Sequence, residues 1–517
     1  MIKASLLALV PELALLLGAL VLFVVSLGDP PVRQVRRVAL TTALVVLLAT
    51  VFGLGQEGSL FDGAYQVDGF SQFLKLIFGL GFVLLVLLSG DLPDIRPEVK
   101  PEYFFFLTLS VCGLTLLVSC VDILTLVIAL QLSSFPLYLL VPMRREAVGR
   151  RGQMESAMKY LMLGIAANGI MLFGMSYLFG LTGTTRLPEL FARLTPWIDS
   201  PVALAGLAMT FAGILYKLAV FPFHFWTPDV YQGASNETAG LIASLPKVGA
   251  VAVLVRFVSL ASPEQESVAL LLAVLATASM FYGNLIALVQ DDLKRLLGFS
   301  GIAHAGYALI GFVALDQAGF TAALYYIIAY LFMVVACFVV VCQVSTDGAN
   351  LGLGDLAGLH RRAPLLAVTL GVGIFALAGM PPFAGFMGKL ALLKAALAKG
   401  YLALVILAVI NTAIAAYYYL GVIREAFFRE AGDRPLIHVG AQVRVLCLVV
   451  LVANIGLGVL PGRVLETIGS SMTGITGLDR ESSAIVSVDP EPGRGGMVGA
   501  GPGPDLQPLN PSAEVRH

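Results

Sequence analysis

Apolar stretches of about 17–25 residues recur along almost the whole chain, at 5–27, 38–55, 70–90, 103–119, 121–142, 155–180, 202–221, 239–260, 267–289, 296–315, 318–343, 364–399, 401–428 and 441–461. About 20 apolar residues in helix cross the hydrocarbon core of a bilayer, so the pattern predicts an all-α integral membrane protein with about fourteen transmembrane helices. Two of these spans, 202–221 and 364–399, are interrupted. The first apolar run is too long for a cleaved leader, and a second span follows it after one short Arg-containing loop, so it reads as a retained helix.

Between the spans, basic residues fall in alternate loops: Arg33, Arg36 and Arg37; Arg144, Arg145, Arg150 and Arg151; Lys294 and Arg295; Arg361 and Arg362; Arg424, Arg429 and Arg434. The opposite loops carry acids such as Glu57, Asp62, Glu264 and Glu266. The positive-inside rule then places both termini on the non-cytoplasmic side. Composition agrees with a membrane protein: 58% of the 517 residues are hydrophobic and 13% charged, against about 25% charged in soluble domains. A net charge of −1 offers no basic surface to nucleic acid.

Charge inside the apolar stretches is the informative exception. Lys217, Lys247 and Lys389 each lie within a span and near a proline. A lysine in hydrocarbon costs roughly 2.5–3.5 kcal/mol on insertion scales, and a chain that carries several there normally uses them. The seventh span breaks after Lys217 at Pro222 and resumes near Pro228; the twelfth breaks at Pro381-Pro382, with Lys389 beyond it. Proline removes a backbone donor and clashes with the preceding turn. Paired broken helices in two halves point to an inverted repeat, here of five helices each, spans four to eight and nine to thirteen.

Other candidate proton groups surround these lysines. Glu155 and Lys159, spaced i, i+4, share one helix face as a natural ion pair. His224 follows the break at Pro222, and His304 is a lone histidine among small residues; either can relay protons or simply pack. Lys75 and Lys394 are expected close enough to span ends to reach the interface, and Asp229 to cap or anchor the broken helix. The five cysteines form no CxxC pair and read as buried apolar residues, which gives no metal or cluster ligands. GLGDLAG at 352–358 lacks the spacing and context of a nucleotide loop, so no cofactor is expected on this chain. The domain reading is a transmembrane unit over 1–465, a connecting segment over 466–480, and a disordered, non-cytoplasmic Gly/Pro-rich tail over 481–517.

Several strings carry a family resemblance: PEL (11–13), VDGFSQFLKLIF (67–78), ESAMKYLMLG (155–164), YLFGLTGTT (177–185), KLAVFPFHFWTPDVYQGA (217–234), LVQDDLKRLLGFSGIAHAGYALIG (288–311) and LAGMPPFAGFMGKL (377–390). Over roughly residues 1–465 the chain resembles the antiporter-like subunit N of respiratory complex I, NADH–quinone oxidoreductase. The resemblance implies a fourteen-helix fold with two inverted five-helix repeats in a bacterial inner (plasma) membrane. It also implies a proton path along the membrane midplane through Lys217, Lys247 and Lys389, with Glu155, Lys159, His224 and His304 at matching positions.

NAD, FMN, iron–sulfur clusters and quinone would then belong to the whole complex rather than to this chain. Its partners would be the neighbouring membrane subunits and, through them, the peripheral NADH- and quinone-binding arm. Two positions depart from the family pattern. Gln131 stands where the family has a glutamate, and Ala-Ser-Asn-Glu-Thr-Ala-Gly at 234–240 where it usually has Ala-Pro-Thr-Pro. The rival readings are a cation/proton antiporter or membrane-hydrogenase subunit, and a scaffold subunit that no longer pumps.

Overall fold

The computed structural model describes residues 7–28, 30–145, 152–198, 200–259, 266–345 and 347–472. In chain order the helices are α1 (Val10–Ser26), α2 (Val32–Gly53), α3 (Gly69–Leu88), α4 (Lys100–Leu117), α5 (Ile123–Leu140), α6 (Gly152–Thr182), α7 (Leu187–Leu194), α8 (Pro201–Leu218), α9 (Thr227–Gly233), α10 (Asn236–Ala243), α11 (Leu245–Val258), α12 (Glu266–Ala287), α13 (Leu293–Val313), α14 (Gln317–Val344), α15 (Leu359–Arg362), α16 (Pro364–Ala378), α17 (Ala384–Ala398), α18 (Leu402–Phe428), α19 (Ala441–Val459) and α20 (Pro461–Ser471). Among the described residues, twelve helices are long and apolar enough to cross a membrane. Two shorter apolar helices, α1 and α16, fall where the first and twelfth spans are expected. One small antiparallel hairpin, Gly58–Leu60 with Tyr65–Val67, follows α2.

Helix starts follow the sequence closely, because short polar side chains take up free N–H groups there. Asp68 and Ser71 form a reciprocal capping box at α3. Asp122, Ser200, Ser235, Asp292 and Asp316 cap α5, α8, α10, α13 and α14 in the same way, each accepting from a first-turn amide. The helix α20 runs across residue 465, where the sequence places the end of the transmembrane unit. The tail at 481–517 lies outside the described residues.

The two predicted interruptions are present and share one local geometry. The α8 helix ends on Ala219 at φ 64°, and α16 ends on Gly379 at φ 83°, both in the left-handed region. In each case the next residue's N–H turns back to a carbonyl near the end of the helix: Val220 to Leu215 and Met380 to Phe375, both at 3.0 Å. A cis prolyl bond comes next in both, Phe221-Pro222 and Pro381-Pro382. The break expected from the proline beside Lys247 is also present: the eighth span divides at Ser244, two residues before Pro246 and three before Lys247.

Burial separates the centre from the rim. The most apolar windows of Asn236–Val258 and Leu293–Val313 are wholly buried within the chain, and that of α14 is 89% buried. By contrast, only 28% of the α19 window is covered. The helices that carry Lys247 and His304 are therefore shielded from lipid by protein on every side.

Candidate proton path

The first half of the chain places Lys217 at the end of α8, against the middle of α5. Its Nζ donates to the Leu130 carbonyl at 3.1 Å and also to Ser133 Oγ. Gln131, which the resemblance sets against a family glutamate, makes no hydrogen bond to a lysine ammonium among the described residues. Its Oε1 accepts from Asn168 Nδ2 of α6 at 2.8 Å.

Lys159 holds two carboxylates at 2.7 Å each, Glu155 one turn before it and Asp229 at the start of α9. Asp229 in turn receives Arg295 at 2.7 Å, so it joins three elements and does more than cap its own short helix. Lys159, Glu155 and Asp229 line a cavity of about 670 Å³ on the basic-loop face, together with Asp94 and Arg144. Burial holds the Asp94 carboxyl above its ordinary value even with Arg144 against it.

The groups from Lys247 onward are more tightly enclosed. Lys247 Nζ donates to the Gly301 carbonyl at 2.9 Å and lies 5.0 Å from the centre of the Tyr330 ring. The Tyr330 ring centre is also 5.0 Å from that of His304. His304 is held at both nitrogens, with Nδ1 2.6 Å from Tyr326 Oη and Nε2 3.0 Å from Tyr419 Oη. On its other side the Tyr307 ring lies 6.2 Å from His304 and 4.6 Å from Lys389 Nζ. Lys389 closes the line by donating to the carbonyls of Leu377 and Ala378, the last two residues of α16. Those carbonyls have no amide partner within their own helix, so the break itself creates the ammonium's site.

His224 is different. It is buried among Phe221, Phe225 and Tyr282, and neither ring nitrogen has a hydrogen-bond partner among the described residues. The five cysteines are all buried and free of disulfides.

Two residues were misread in the sequence. Lys75 does not reach the interface: it is fully buried in α3 and pairs with Glu12 of α1 at 2.7 Å, where Tyr65 also donates to Glu12. Its place one to two turns inside a span, with an acid in another span's first turn, was the available signal. Lys294, grouped with the basic loops, is also fully buried, and donates to the Ala234 carbonyl at 2.8 Å. Lys394, by contrast, is exposed, as expected.

Comparison with known proteins gives a consistent picture. Residues 120–415 match the family model described as NADH:quinone oxidoreductase/Mrp antiporter, TM. The chain is 61% identical over 473 residues to NADH-quinone oxidoreductase subunit N 2 of Opitutus terrae, covering 91% of this chain and 99% of that one. It is 47% identical to the protein of the same name from Solidesulfovibrio magneticus, over 84% and 91%. Among solved structures it resembles a chain of Thermus thermophilus respiratory complex I with bound aureothin, at 31% identity, TM-score 0.76, and coverage of 88% and 98%. A chain of the Mrp complex from Dietzia sp. shares the fold at 20% identity and TM-score 0.82, over 94% and 100%. Since the antiporter complexes share this architecture, it is the identity to the subunit N proteins across nearly their whole length that discriminates: the chain belongs to the NADH-quinone oxidoreductase subunit N family, the proton-translocating, antiporter-like membrane subunits of complex I.

Proposed function

We propose that protons cross this subunit by way of Lys217, Lys247, His304 and Lys389, with Lys159 and its two carboxylates as the gate on the basic-loop face. The observation that carries this reading is the enclosed series Lys247, Tyr330, His304, Tyr307, Lys389, in which each neighbour is within about one ring width of the next. An ammonium held only by carbonyls and aromatic faces has no fixed counter-ion, so a charge arriving next to it changes its affinity for a proton. Such a site can pass protons in response to events elsewhere in the complex. The matched breaks support an inverted pair of five-helix halves, and the basic loops support a cytoplasmic placement of the face that holds Lys159.

Electrons stay in other subunits on this reading, as do NAD, FMN, the iron–sulfur clusters and the quinone. The buried thiols of this chain lack the clustering that cluster ligation requires. His224, caged by rings, serves packing.

The decisive experiment is Lys247→Ala and Lys389→Ala in the assembled complex, reconstituted into vesicles. Each should lower NADH-driven proton pumping and quinone reduction together, with the complex still assembled. Normal pumping by both variants overturns the path.

A further inference from the structure

The segment that departs from the family's Ala-Pro-Thr-Pro pattern introduces an acid of its own. Glu237, in the first turn of α10, is 3% exposed, and its Oε2 has no hydrogen-bond partner among the described residues. A buried carboxyl without a full set of partners is costly, and within a membrane span it marks a working group by default. Glu237 lines a cavity of about 520 Å³ that adjoins the one at Lys159 and opens on the same face. Leu88 and Asp91 at the end of α3, Cys342 and Ser345 at the end of α14, and His438 before α19 form other parts of its wall. Lys294 and Asp94 both act electrostatically on the carboxyl.

Glu237 also begins the span that carries Lys247. Ten residues separate the two in sequence, across the break at Ser244. Two further buried hydroxyls, those of Tyr231 and Tyr330, have no partner among the described residues, and the Tyr330 ring lies against Lys247. Buried polar atoms left unpaired by protein are the ones that ordered water bridges.

We propose that Glu237 is a proton-uptake carboxyl feeding Lys247 from this second cavity. The inference rests on the proton path described above. In the step, the Glu237 carboxylate takes a proton from a hydronium in the cavity and leaves water behind. The new O–H bond then breaks as the proton moves inward to the neutral amine of Lys247, which becomes ammonium and restores the carboxylate. The chain thus has a neutral side chain at 131 but an acid at the mouth of the Lys247 span.

The test uses the whole complex in vesicles. Glu237→Gln should lower coupled NADH–quinone turnover at least threefold, and Glu237→Asp should recover part of the loss. Added formate should restore Glu237→Gln by carrying protons into the cavity, and should not restore Lys247→Ala. In a second arm, in a Cys342→Ala background that removes the native thiol from this cavity, Ser345→Cys should turn over until methyl methanethiosulfonate modifies it, and then slow like Glu237→Gln, while the Cys342→Ala parent is unaffected by the reagent. This arm leaves Glu237 in place, so it decides the matter where the Gln variant does not assemble. Native turnover in both Glu237→Gln and modified Ser345→Cys, with Lys247→Ala inhibited, overturns the uptake role and leaves the path intact. Native turnover in Lys247→Ala overturns the path itself, and the uptake role with it.

Discussion

The Gly301 carbonyl of α13 takes the Lys247 ammonium at 2.9 Å, and the same glycine leaves the room that the lysine occupies. A Cβ at position 301 would stand 2.7 Å from Lys247 Nζ and 2.9 Å from Tyr330 Oη. Both obstructing atoms are the far ends of side chains, so the helix can keep its place while the amine is pushed away. Gly301→Ala should therefore assemble normally and lose proton pumping several-fold, measured by vesicle acidification alongside a quantitative blot of the complex.

Gln131 sits one residue from the carbonyl that holds Lys217, with its amide occupied by Asn168. A glutamate there keeps its acceptor toward Asn168 and adds a negative charge beside the ammonium. Gln131→Glu should thus maintain or raise pumping, measured as protons moved per NADH oxidised. Strong inhibition would mean that the surrounding groups have been retuned to a neutral side chain.

The two carboxylates on Lys159 are unequal. The Glu155 side chain is 67% exposed and that of Asp229 29%, and Asp229 also binds Arg295. Exposed ion pairs contribute about 0–1 kcal/mol. Asp229→Asn should therefore reduce pumping and loosen the α6–α9–α13 contact, whereas Glu155→Gln should change pumping less than twofold. Parallel activity and thermal-shift measurements on the two complexes test this ordering.

Glu12 and Lys75 form a buried ion pair outside the proposed path. Removing one partner leaves an uncompensated charge in the interior, at a cost of about 3–5 kcal/mol, whereas replacing both by apolar residues can be near neutral. Lys75→Leu alone should lower the amount of assembled complex, and Glu12→Leu/Lys75→Leu should recover most of it, read by native gel.

Much of this architecture is written in local sequence. Spans follow from hydropathy, helix starts from Asp and Ser caps, and the breaks from Pro222, Pro246 and Pro381-Pro382. The exact place of the break at Ser244 was harder to read, because the apolar run continues through it and Pro246 sits in the first turn of the helix that follows. Similarly, i, i+4 spacing shows the Glu155–Lys159 pair, but no spacing rule links Asp229 to Lys159 across 70 positions. The burial of Lys75, Glu237 and Lys294 is decided by which helices surround them, information that a one-dimensional charge count lacks. The tyrosines around His304 come from α13, α14 and α18, and only folding brings them together.

At α16 the cation that would move charge is also the clasp on the end of a helix, since Lys389 grips the carbonyls of Leu377 and Ala378. On the proposed path, titrating that amine would alter how firmly a half-helix terminus is tethered. A conductor built this way would resist idle leakage, because the tether would have to re-form between one transit and the next.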